Sequence, residues 1–434
     1  MKPAFFWQAF LVAWPLAAQD KVKPPSAKEV QIQVDAAIDK GVAYLKKQVA
    51  GLKPFSWIGK IQYDELLLWT LLHAGVPESD TDFQKLFKEM LERPLERTYA
   101  VALQAMVLEE VERVKYQARI AQCAQFLVDN QCADGSWFYG TRVLSADAPP
   151  STPSEAPRKD VASRGEAKNG AVVSRKPAVL SKITVKKTRD APGSGDNSNS
   201  QYAALGLRAC FEAGIVLPDE VLNRAVKWWR EHQKKPEGNE ELLRLERPAA
   251  RSSTRATVEG AVAAPRGWCY EGFSLKNGKH AEHKGYGSMT AGGVGSLCIY
   301  KYIQEGPNSW RQDKNIQEGL QWLSKSFSVT SNPGPQEPEH KLGPNALMYH
   351  YYHLYALERA CMLYGTEVLG ASRWYPEGVR ALLPLQKPDG SWQSPVREGD
   401  LNAISDTCFA ILFLRRATRP LEPVASRDPL HKKP

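Results

Sequence analysis

Apolar residues recur at three- and four-residue spacing in successive stretches along most of the chain, which is the period of an amphipathic α-helix. No stretch shows the sustained two-residue alternation and tight turns that are typical of β-hairpins. The pattern therefore predicts an all-α chain of twelve helices in six pairs. The predicted spans are residues 37–48, 62–74, 82–91, 98–110, 119–130, 201–214, 219–233, 288–303, 314–326, 348–364, 375–386 and 404–416.

The two helices of each predicted pair differ in how their apolar residues are distributed. Odd-numbered helices, such as 123–131 and 225–233, have one apolar face, whereas even-numbered helices, such as 63–75 and 404–414, are apolar almost all round. A helix that is apolar on all sides is normally surrounded by other protein. An inner ring of apolar helices inside an outer ring of amphipathic helices satisfies both patterns, so we predict an α/α toroid of six helix pairs.

Segments of low complexity interrupt and follow this ring. Residues 144–195 are rich in Pro, Ser, Ala, Gly and Lys, and such a segment buries too little apolar surface to offset its ordering entropy. We predict a disordered insertion there and a second, shorter flexible insertion at 236–265. The basic tail 419–434 is expected to be loose. The predicted toroid therefore consists of residues 28–143 and 196–418.

The first eighteen residues have the pattern of a secretory signal. Lys2 precedes a mostly apolar run that ends at Ala18, where polar sequence begins abruptly. The run is too short for a comfortable transmembrane span. We expect residues 1–18 to be cleaved, leaving an exported protein, periplasmic or extracellular, without a transmembrane span. The alternative is a buried first helix.

Composition and charge narrow the range of partners. The 434 residues have a mean hydropathy of −0.42, which excludes a polytopic membrane protein, and 57 Lys and Arg against 48 Asp and Glu give a net charge of +9. Basic loops on an exported protein could attract anionic polysaccharide or lipid, although such a charge run commonly serves only to solvate a loop. We expect no nucleic-acid partner outside the cytoplasm.

The seven cysteines have no paired Cys-x-x-Cys spacing. Cys210, Cys298, Cys361 and Cys408 lie inside apolar helical stretches, where a thiol behaves as a small hydrophobic side chain. We therefore expect buried thiols rather than a disulfide-linked scaffold, although an exported chain would permit a bridge.

Two odd-numbered helices end in the same Gln-x-x-x-Gly-x-Trp turn. The first is Gln131–Trp137, with Gly135, and the second is Gln386–Trp392, with Gly390. Asp-Gly permits a tight turn with positive φ at the glycine, and the tryptophan can then fold back between helices. The glutamine amide can bond carbonyl groups at a helix end. The spacing indicates a structural role rather than catalysis.

These turns resemble the QW motif of the squalene and terpenoid cyclases, whose repeat also occurs in protein prenyltransferase β subunits and in the thioester domain of macroglobulin-like proteins. The resemblance implies an α/α toroid and covers most of the chain outside the predicted signal and insertions. By general appearance, the chain is most similar to exported bacterial proteins of the prenyltransferase and squalene oxidase repeat type. For those proteins the family name describes a shape and not a reaction.

The resemblance implies where cyclase chemistry would lie. Class II terpene cyclases protonate an alkene with a DxDD motif, and the nearest match here is Ala403–Cys408. Asp406 and Thr407 keep the pattern, but Ser405 stands at the position of the proton donor, and a hydroxyl is not a strong acid. Asp406 is therefore the catalytic candidate, with a helix cap as the alternative role.

A prenyltransferase zinc site is not supported by the sequence. Its Asp-x-Cys-Tyr element would fall on Gly267–Tyr270, where Gly267 replaces the aspartate. The other candidate ligands, His280, His283, His350 and His353, have no zinc-finger spacing. Thioester, GxSxG, Walker and HExxH elements are absent from the sequence. We predict neither a metal nor a cofactor.

Polar and aromatic residues cluster where inner helices begin, the ends that face one mouth of a toroid. Facing inward, this mixture would suit a carbohydrate, an isoprenoid or a peptide, and a histidine could act as acid or base. The alternative is ring packing combined with helix capping by Asp196, Ser198 and Ser288. The candidate ligand-binding residues are Asp196, Asn199, Gln201, Tyr202, Trp268, Tyr270, Tyr286, His350, Tyr352 and His353.

Three functions of different classes remain open. The first is a non-catalytic module that holds an apolar or isoprenoid ligand, or a partner protein, at its aromatic mouth. The second is a divergent isoprenoid cyclase that uses Asp406. The third is a polysaccharide lyase or hydrolase, because α/α barrels also host sugar chemistry and basic loops could gather acidic polymers. We rank them in that order, and whether the protein is an enzyme stays open.

Overall fold

The computed structural model describes residues 26–49, 64–143, 179–236, 264–270, 284–334, 345–396 and 400–421. Besides a single helical turn at Asn345–Met348, the helices of these residues are α1 (Ala27–Val49), α2 (Asp64–Ala74), α3 (Thr81–Glu92), α4 (Thr98–Glu112), α5 (Gln117–Asp129), α6 (Asn197–Glu212), α7 (Asp219–Glu231), α8 (Gly287–Glu305), α9 (Lys314–Lys325), α10 (His350–Tyr364), α11 (Trp374–Leu382) and α12 (Asp400–Arg415). Short 3-10 turns lie at Ser309–Gln312 and Leu383–Leu385, and strand β1 (Ile183–Thr184) pairs in parallel with β2 (Ile215–Val216).

The even-numbered helices form a closed ring. Helix α2 packs on α4, and the contacts continue through α6, α8, α10 and α12, which returns to α2. Each odd-numbered helix packs on the outside: α1 and α3 on α2, α5 on α4 and α6, α7 and α9 on α8, and α11 on α10. The predicted α/α toroid of six helix pairs is confirmed.

Burial follows the two predicted patterns. Helix α6 is buried at every position from Asn197 to Cys210, as an inner helix must be. Outer helix α7 instead buries one face, through Val221, Leu222, Ala225, Val226, Trp228 and Trp229. Each large apolar side chain that is fully buried contributes about 1.5–3 kcal/mol, so these buried faces are a main source of the stability of the fold.

Local signals move several helix boundaries away from the predicted ones. Helix α1 begins at Ala27 rather than at residue 37, because Ser26 and Glu29 cap each other reciprocally. Helix α11 ends at Leu382, since Pro384 lies within the 3-10 turn that follows. Helix α12 begins at Asp400 rather than at residue 404.

The boundary drawn for the first insertion, 144–195, needs correction at its C-terminal end. Residues 179–195 pack on the ring: β1 pairs with β2, and the Ala191 N–H donates to the Gln131 carbonyl at 3.0 Å. The Asp129 carboxylate accepts hydrogen bonds from the Thr188 N–H and hydroxyl at 2.7 and 2.9 Å. Local composition is a poor guide here because these contacts come from α5, the turn after it and β2, which are distant in sequence.

The other segment predictions fall largely on residues that the structure does not describe. These are the signal at 1–18, residues 144–178 of the first insertion, residues 237–263 of the second insertion, and the tail from residue 422. Within the described part of the chain, no helix is long and apolar enough to cross a membrane.

The two Gln-x-x-x-Gly-x-Trp turns, named here the Gln-Trp turns, join neighbouring outer helices. The Gln131 amide donates to the Gly135 carbonyl in its own turn and, at 2.8 Å, to the Val221 carbonyl of α7. The Gln386 amide donates in the same way to Gly390 and, at 2.8 Å, to Ala37 of α1. The second turn therefore closes the outer ring between its last and first helices.

Each tryptophan of these turns is a buried plug that is fixed at both ends. Trp137 donates its indole N–H to the Leu127 carbonyl at 2.7 Å, and Trp392 donates to Leu382 at 3.0 Å. Their backbone N–H groups donate to hydroxyls on the next inner helix, which are those of Ser200 and Thr407. Each tryptophan thus connects an outer helix to the next inner helix.

A third Gln-Trp turn is divided by the second insertion. Gln233 donates to the Asn315 carbonyl of α9 at 2.9 Å, and Trp268 donates its indole N–H to the Trp229 carbonyl at 2.7 Å. The Trp268 backbone N–H donates to the Thr290 hydroxyl, as the corresponding N–H groups do in the other turns. Trp268, predicted to be a ligand-binding residue, therefore belongs to this structural turn.

Candidate functional site

The starts of four inner-ring segments meet at one end of the ring interior, which we call the lumen. Tyr99 begins α4, Tyr202 lies in the second turn of α6, Tyr286 precedes α8, and Tyr352 lies in the first turn of α10. Tyr270, on the segment before α8, interacts with the same group. We call these five tyrosines the tyrosine mouth.

Asp196 is the carboxyl group at the tyrosine mouth. It caps α6, accepting hydrogen bonds from the Asn199 N–H at 2.8 Å, the Asn199 side-chain amide at 2.7 Å and the Ser198 hydroxyl at 2.6 Å. The capping role considered from the sequence is thus present. Burial raises the pKa of Asp196, while these donors and the facing Tyr270 hydroxyl oppose the shift. The residue is only 3% exposed.

The tyrosines of this mouth are close together and un-ionised at neutral pH. The rings of Tyr99 and Tyr202 lie 4.6 Å apart, and Tyr99, Tyr270, Tyr286 and Tyr352 are half-buried. Burial, followed by the Asp196 carboxylate, raises the pKa of Tyr270. Burial is also the main cause of the raised pKa values of Tyr99 and Tyr352. Neutral phenols can both stack and form hydrogen bonds, so the mouth presents amphipathic surface.

Below the mouth the lumen holds a buried arginine among aromatic rings. Arg359 of α10 donates to the Gln201 side-chain oxygen at 2.8 Å, and the Gln201 amide donates to the Tyr352 hydroxyl at 2.6 Å. The guanidinium carbon lies 4.2 Å from the centre of the Tyr355 ring and 5.3 Å from that of Tyr202. Gln201 therefore links the mouth to this deeper layer.

The C-terminal residues cross the opposite end of the lumen, so the predicted tail boundary at 419 is also corrected. The Thr418 N–H and hydroxyl donate to the Glu358 carboxylate at 2.9 and 2.6 Å. Arg419 pairs with Glu109 of α4 and Glu212 of α6. A cavity of about 50 Å³ remains beneath this segment and is lined in part by Trp69, Met106, Leu205 and Ala417.

The two candidate histidines face the segment before α10 rather than the tyrosine mouth. His350 bonds the Val329 carbonyl at 2.8 Å and His353 bonds the Ser328 carbonyl at 3.1 Å. Burial lowers the pKa of His353 to about 3 and also lowers that of His350. Both rings are therefore neutral at physiological pH and hold α10 in place. Asn199, another predicted ligand residue, is engaged with Asp196.

Asp406, the catalytic candidate from the sequence, lies elsewhere in the fold. Its carboxylate accepts a hydrogen bond from the Ser394 N–H at 2.9 Å, and together with burial, which is the larger cause, it raises the pKa of Tyr351. It is 1% exposed and lies inside α12, so it does not cap that helix. Among the described residues, the carboxylate whose charge raises the pKa of the mouth residue Tyr270 is instead that of Asp196.

Replacement of Asp406 by alanine should lower the free energy of unfolding by about 1–3 kcal/mol, because it leaves the buried Ser394 N–H without an acceptor. Urea titration followed by circular dichroism measures this loss. Ser405→Ala is the control, since its hydroxyl bonds the Asn402 carbonyl of the same helix. An Asp406→Ala variant as stable as the control would contradict the structural role.

Sequence reasoning missed Arg359, Glu358 and Tyr99. The available signal was the Glu358-Arg359 pair, which interrupts an otherwise apolar inner helix. Charged residues in such a position are rarely buried without a partner or a role. Among the residues that the structure describes, no group of three or more His, Cys, Asp and Glu side chains is arranged to hold a metal ion.

Comparisons with known proteins give structural similarity at low sequence identity. No protein-family model matches the chain, and neither does any curated protein. A variant of the type II terpene cyclase MstE from Scytonema, in complex with geranylgeranyl dihydroxybenzoate, is 14% identical over 90% of this chain and 99% of its own, with a TM-score of 0.43.

Two further variants of that cyclase are each 12% identical over 90% of this chain and 99% of theirs, with TM-scores of 0.31. One is without ligand and the other is in complex with the product merosterolic acid A. The toroid assignment rests on the closed ring of helix contacts. This chain is thus an α/α toroid with low similarity to solved type II terpene cyclases.

Proposed function

We propose that the protein is an exported, non-catalytic binding module that holds an amphipathic ligand at its tyrosine mouth. The observation that carries this proposal is the convergence of half-buried tyrosines from separate segments on the buried carboxyl group of Asp196. Burying hydroxyls and a carboxyl group for packing alone is unfavourable. Aromatic faces with a few convergent polar groups are typical of a small-molecule site.

The geometry favours binding over the cyclase reaction. Protonation of an alkene requires a strong acid, but burial makes Asp196 a weaker acid than an ordinary aspartate. Asp406 accepts a hydrogen bond from the Ser394 backbone N–H. Its charge interacts with Tyr351, which is not part of the tyrosine mouth. Neither carboxyl group combines acidity with access to an apolar ligand in the lumen.

The geometry also favours binding over sugar hydrolysis. Glycosidases commonly place two carboxyl groups on either side of the scissile bond. Within the described residues, the carboxyl group that we find interacting with a tyrosine of the mouth, Tyr270, is that of Asp196. A lone carboxyl group with tyrosine hydroxyls suits hydrogen bonding to a ligand better than this two-carboxyl mechanism.

Native mass spectrometry of the full chain, gently purified from the exported fraction, tests the proposal first. We expect a co-purifying small amphipathic molecule, recoverable by solvent extraction. Calorimetric titration with farnesol, geranylgeraniol and farnesoic acid then measures binding directly. Conversion of geranylgeraniol to a cyclic product would favour the cyclase, and release of unsaturated or reducing sugars from uronate polymers would favour the sugar enzymes.

Tyr352→Ala should weaken binding of the tightest of these probes at least tenfold, because the ring supplies apolar contact at the mouth and its hydroxyl orders Gln201. The control is Tyr116→Ala, since Tyr116 packs against Phe87 outside the lumen. Equal affinity of the two variants would show that ligand binds elsewhere. No co-purified molecule and no binding of any probe would overturn the proposed function.

A further inference from the structure

Arg359 has an incomplete set of partners for a buried cation. It is 3% exposed and donates from one nitrogen, Nη2, to the Gln201 oxygen. Its other terminal nitrogen, Nη1, is buried and has no hydrogen-bond partner. Burial of a guanidinium group is costly unless a nearby anion and hydrogen-bond acceptors compensate for the lost water.

Arg359 is surrounded by aromatic rings, whereas other partly or fully buried arginines of the chain are paired with carboxylates. Arg208 pairs with Glu212 at 2.9 Å and Arg266 pairs with Glu318 at 3.0 Å. Among the described residues Arg359 forms no such ion pair, and the adjacent Glu358 directs both carboxylate oxygens to Thr418. Cation–π contacts with Tyr202 and Tyr355 leave the hydrogen-bonding capacity of Nη1 unused.

The position of Arg359 places this unused donor beneath the tyrosine mouth. Tyr352 and Arg359 are seven residues apart on α10, which puts them on the same helix face with Arg359 about 10 Å deeper along the axis. Gln201 contacts both side chains, so the guanidinium lies in the layer directly beneath the mouth.

We infer that Arg359 binds the carboxylate end of the ligand, which enters through the tyrosine mouth with its apolar chain behind it. This inference rests on the proposed function and names the ligand class: a monocarboxylate on a narrow apolar chain. One guanidinium suits a single carboxylate, and Asp196 at the rim disfavours a bulky polyanionic head group. Neighbouring side chains cover Nη1, so association requires them to move aside.

Calorimetric titration of the full chain with farnesoic acid and farnesol, which share one chain and differ at the end group, tests this inference. Wild type should bind the acid at least tenfold more tightly than the alcohol. Arg359→Gln should abolish this preference while changing the affinity for farnesol less than threefold. Arg359→Lys should retain part of the preference, because it keeps the charge but not the planar donor geometry.

Arg208→Gln is the matched control, since it removes an arginine of an inner helix that is already paired with Glu212. It should keep the full preference for the acid. A preference that survives Arg359→Gln would place the carboxylate elsewhere and overturn the inference. If Arg359→Gln fails to fold, as judged by circular dichroism, equal binding of acid and alcohol by wild type still overturns it.

The outcomes separate this inference from the proposed function. Binding of neither compound, together with no co-purified molecule, overturns the proposed function. Binding of both compounds with equal affinity leaves the binding module intact and overturns only the assignment of a carboxylate. Tight binding of the acid alone supports both.

Discussion

Replacing Gly390 with alanine should lower the free energy of unfolding by about 3–5 kcal/mol, whereas the same change at Gly75 should cost about 1 kcal/mol. Both glycines have positive φ, +93° and +87°, so both substitutions carry the strain of that conformation. A Cβ at Gly390 would lie 2.3 Å from the backbone oxygen of Lys40, but one at Gly75 meets nothing within 4 Å. The difference between the variants is therefore the cost of overpacking.

The contact at Gly390 matters because it lies where the outer ring closes. Gln386 bonds Ala37 beside it, so a shift of the turn also disturbs the joint between α11 and α1. Backbone atoms on both sides leave no flexible side chain to yield. Gly135→Ala should behave similarly, since its Cβ would lie 2.2 Å from the Arg224 oxygen.

Urea unfolding followed by circular dichroism measures these free energies. Equal losses of unfolding free energy in Gly390→Ala and Gly75→Ala would show that the turn has room for a methyl group against α1. A large loss in Gly390→Ala with little effect in Gly135→Ala would instead assign the effect to ring closure alone. Both comparisons use one kind of substitution, so differences in side-chain entropy cancel.

Glu358→Gln should become more stable relative to wild type by up to about 3 kcal/mol as the pH rises from 5 to 8. Burial raises the pKa of Glu358 to about 7 despite the opposing hydrogen bonds from Thr418. Between pH 4.5 and 7 the folded chain therefore binds more protons than the unfolded chain at this position. Wild-type stability contributed by Glu358 is lost across that window, at about 1.4 kcal/mol per pKa unit.

Glutamine cannot ionise, so the variant does not lose stability at this position as the pH rises. Its side-chain oxygen still accepts from the Thr418 N–H. Other titrating groups, such as Glu65 with a pKa raised to about 7 by burial, are present in both proteins and cancel in the difference. Urea unfolding at pH 5, 6, 7 and 8 gives the curve. Glu92→Gln, at an exposed carboxyl group, serves as control and should track wild type at every pH.

A difference between Glu358→Gln and wild type that stays constant from pH 5 to pH 8 would contradict a buried, weakly acidic Glu358. A difference that changes in the opposite direction would mean that the Thr418 hydrogen bonds and the nearby arginines outweigh burial. The experiment therefore also reports on how firmly the C-terminal segment closes the second end of the lumen.

The arrangement of the site was only partly predictable, because it depends on which side of an inner helix each residue faces. The sequence placed Asp196, Gln201, Tyr270 and Tyr352 at one mouth, and the structure brings them together. It also grouped Asn199, Trp268, His350 and His353 with them, and these side chains are engaged in caps, turns and helix anchoring. An inner helix is buried on every side, so its hydrophobic pattern does not show which face lines the lumen.

Helical periodicity and Asp-Gly turn chemistry are local properties, so the twelve helices, their alternation between inner and outer rings and two of the Gln-Trp turns could be predicted from the chain alone. The third turn could not, because an insertion separates Gln233 from Trp268 and the two residues meet only in the folded ring. The same holds for the placement of Asp196 rather than Asp406 at the tyrosine mouth, and for the unpaired Nη1 of the buried Arg359. Such facts depend on contacts between residues far apart in the chain, which form only when the ring closes.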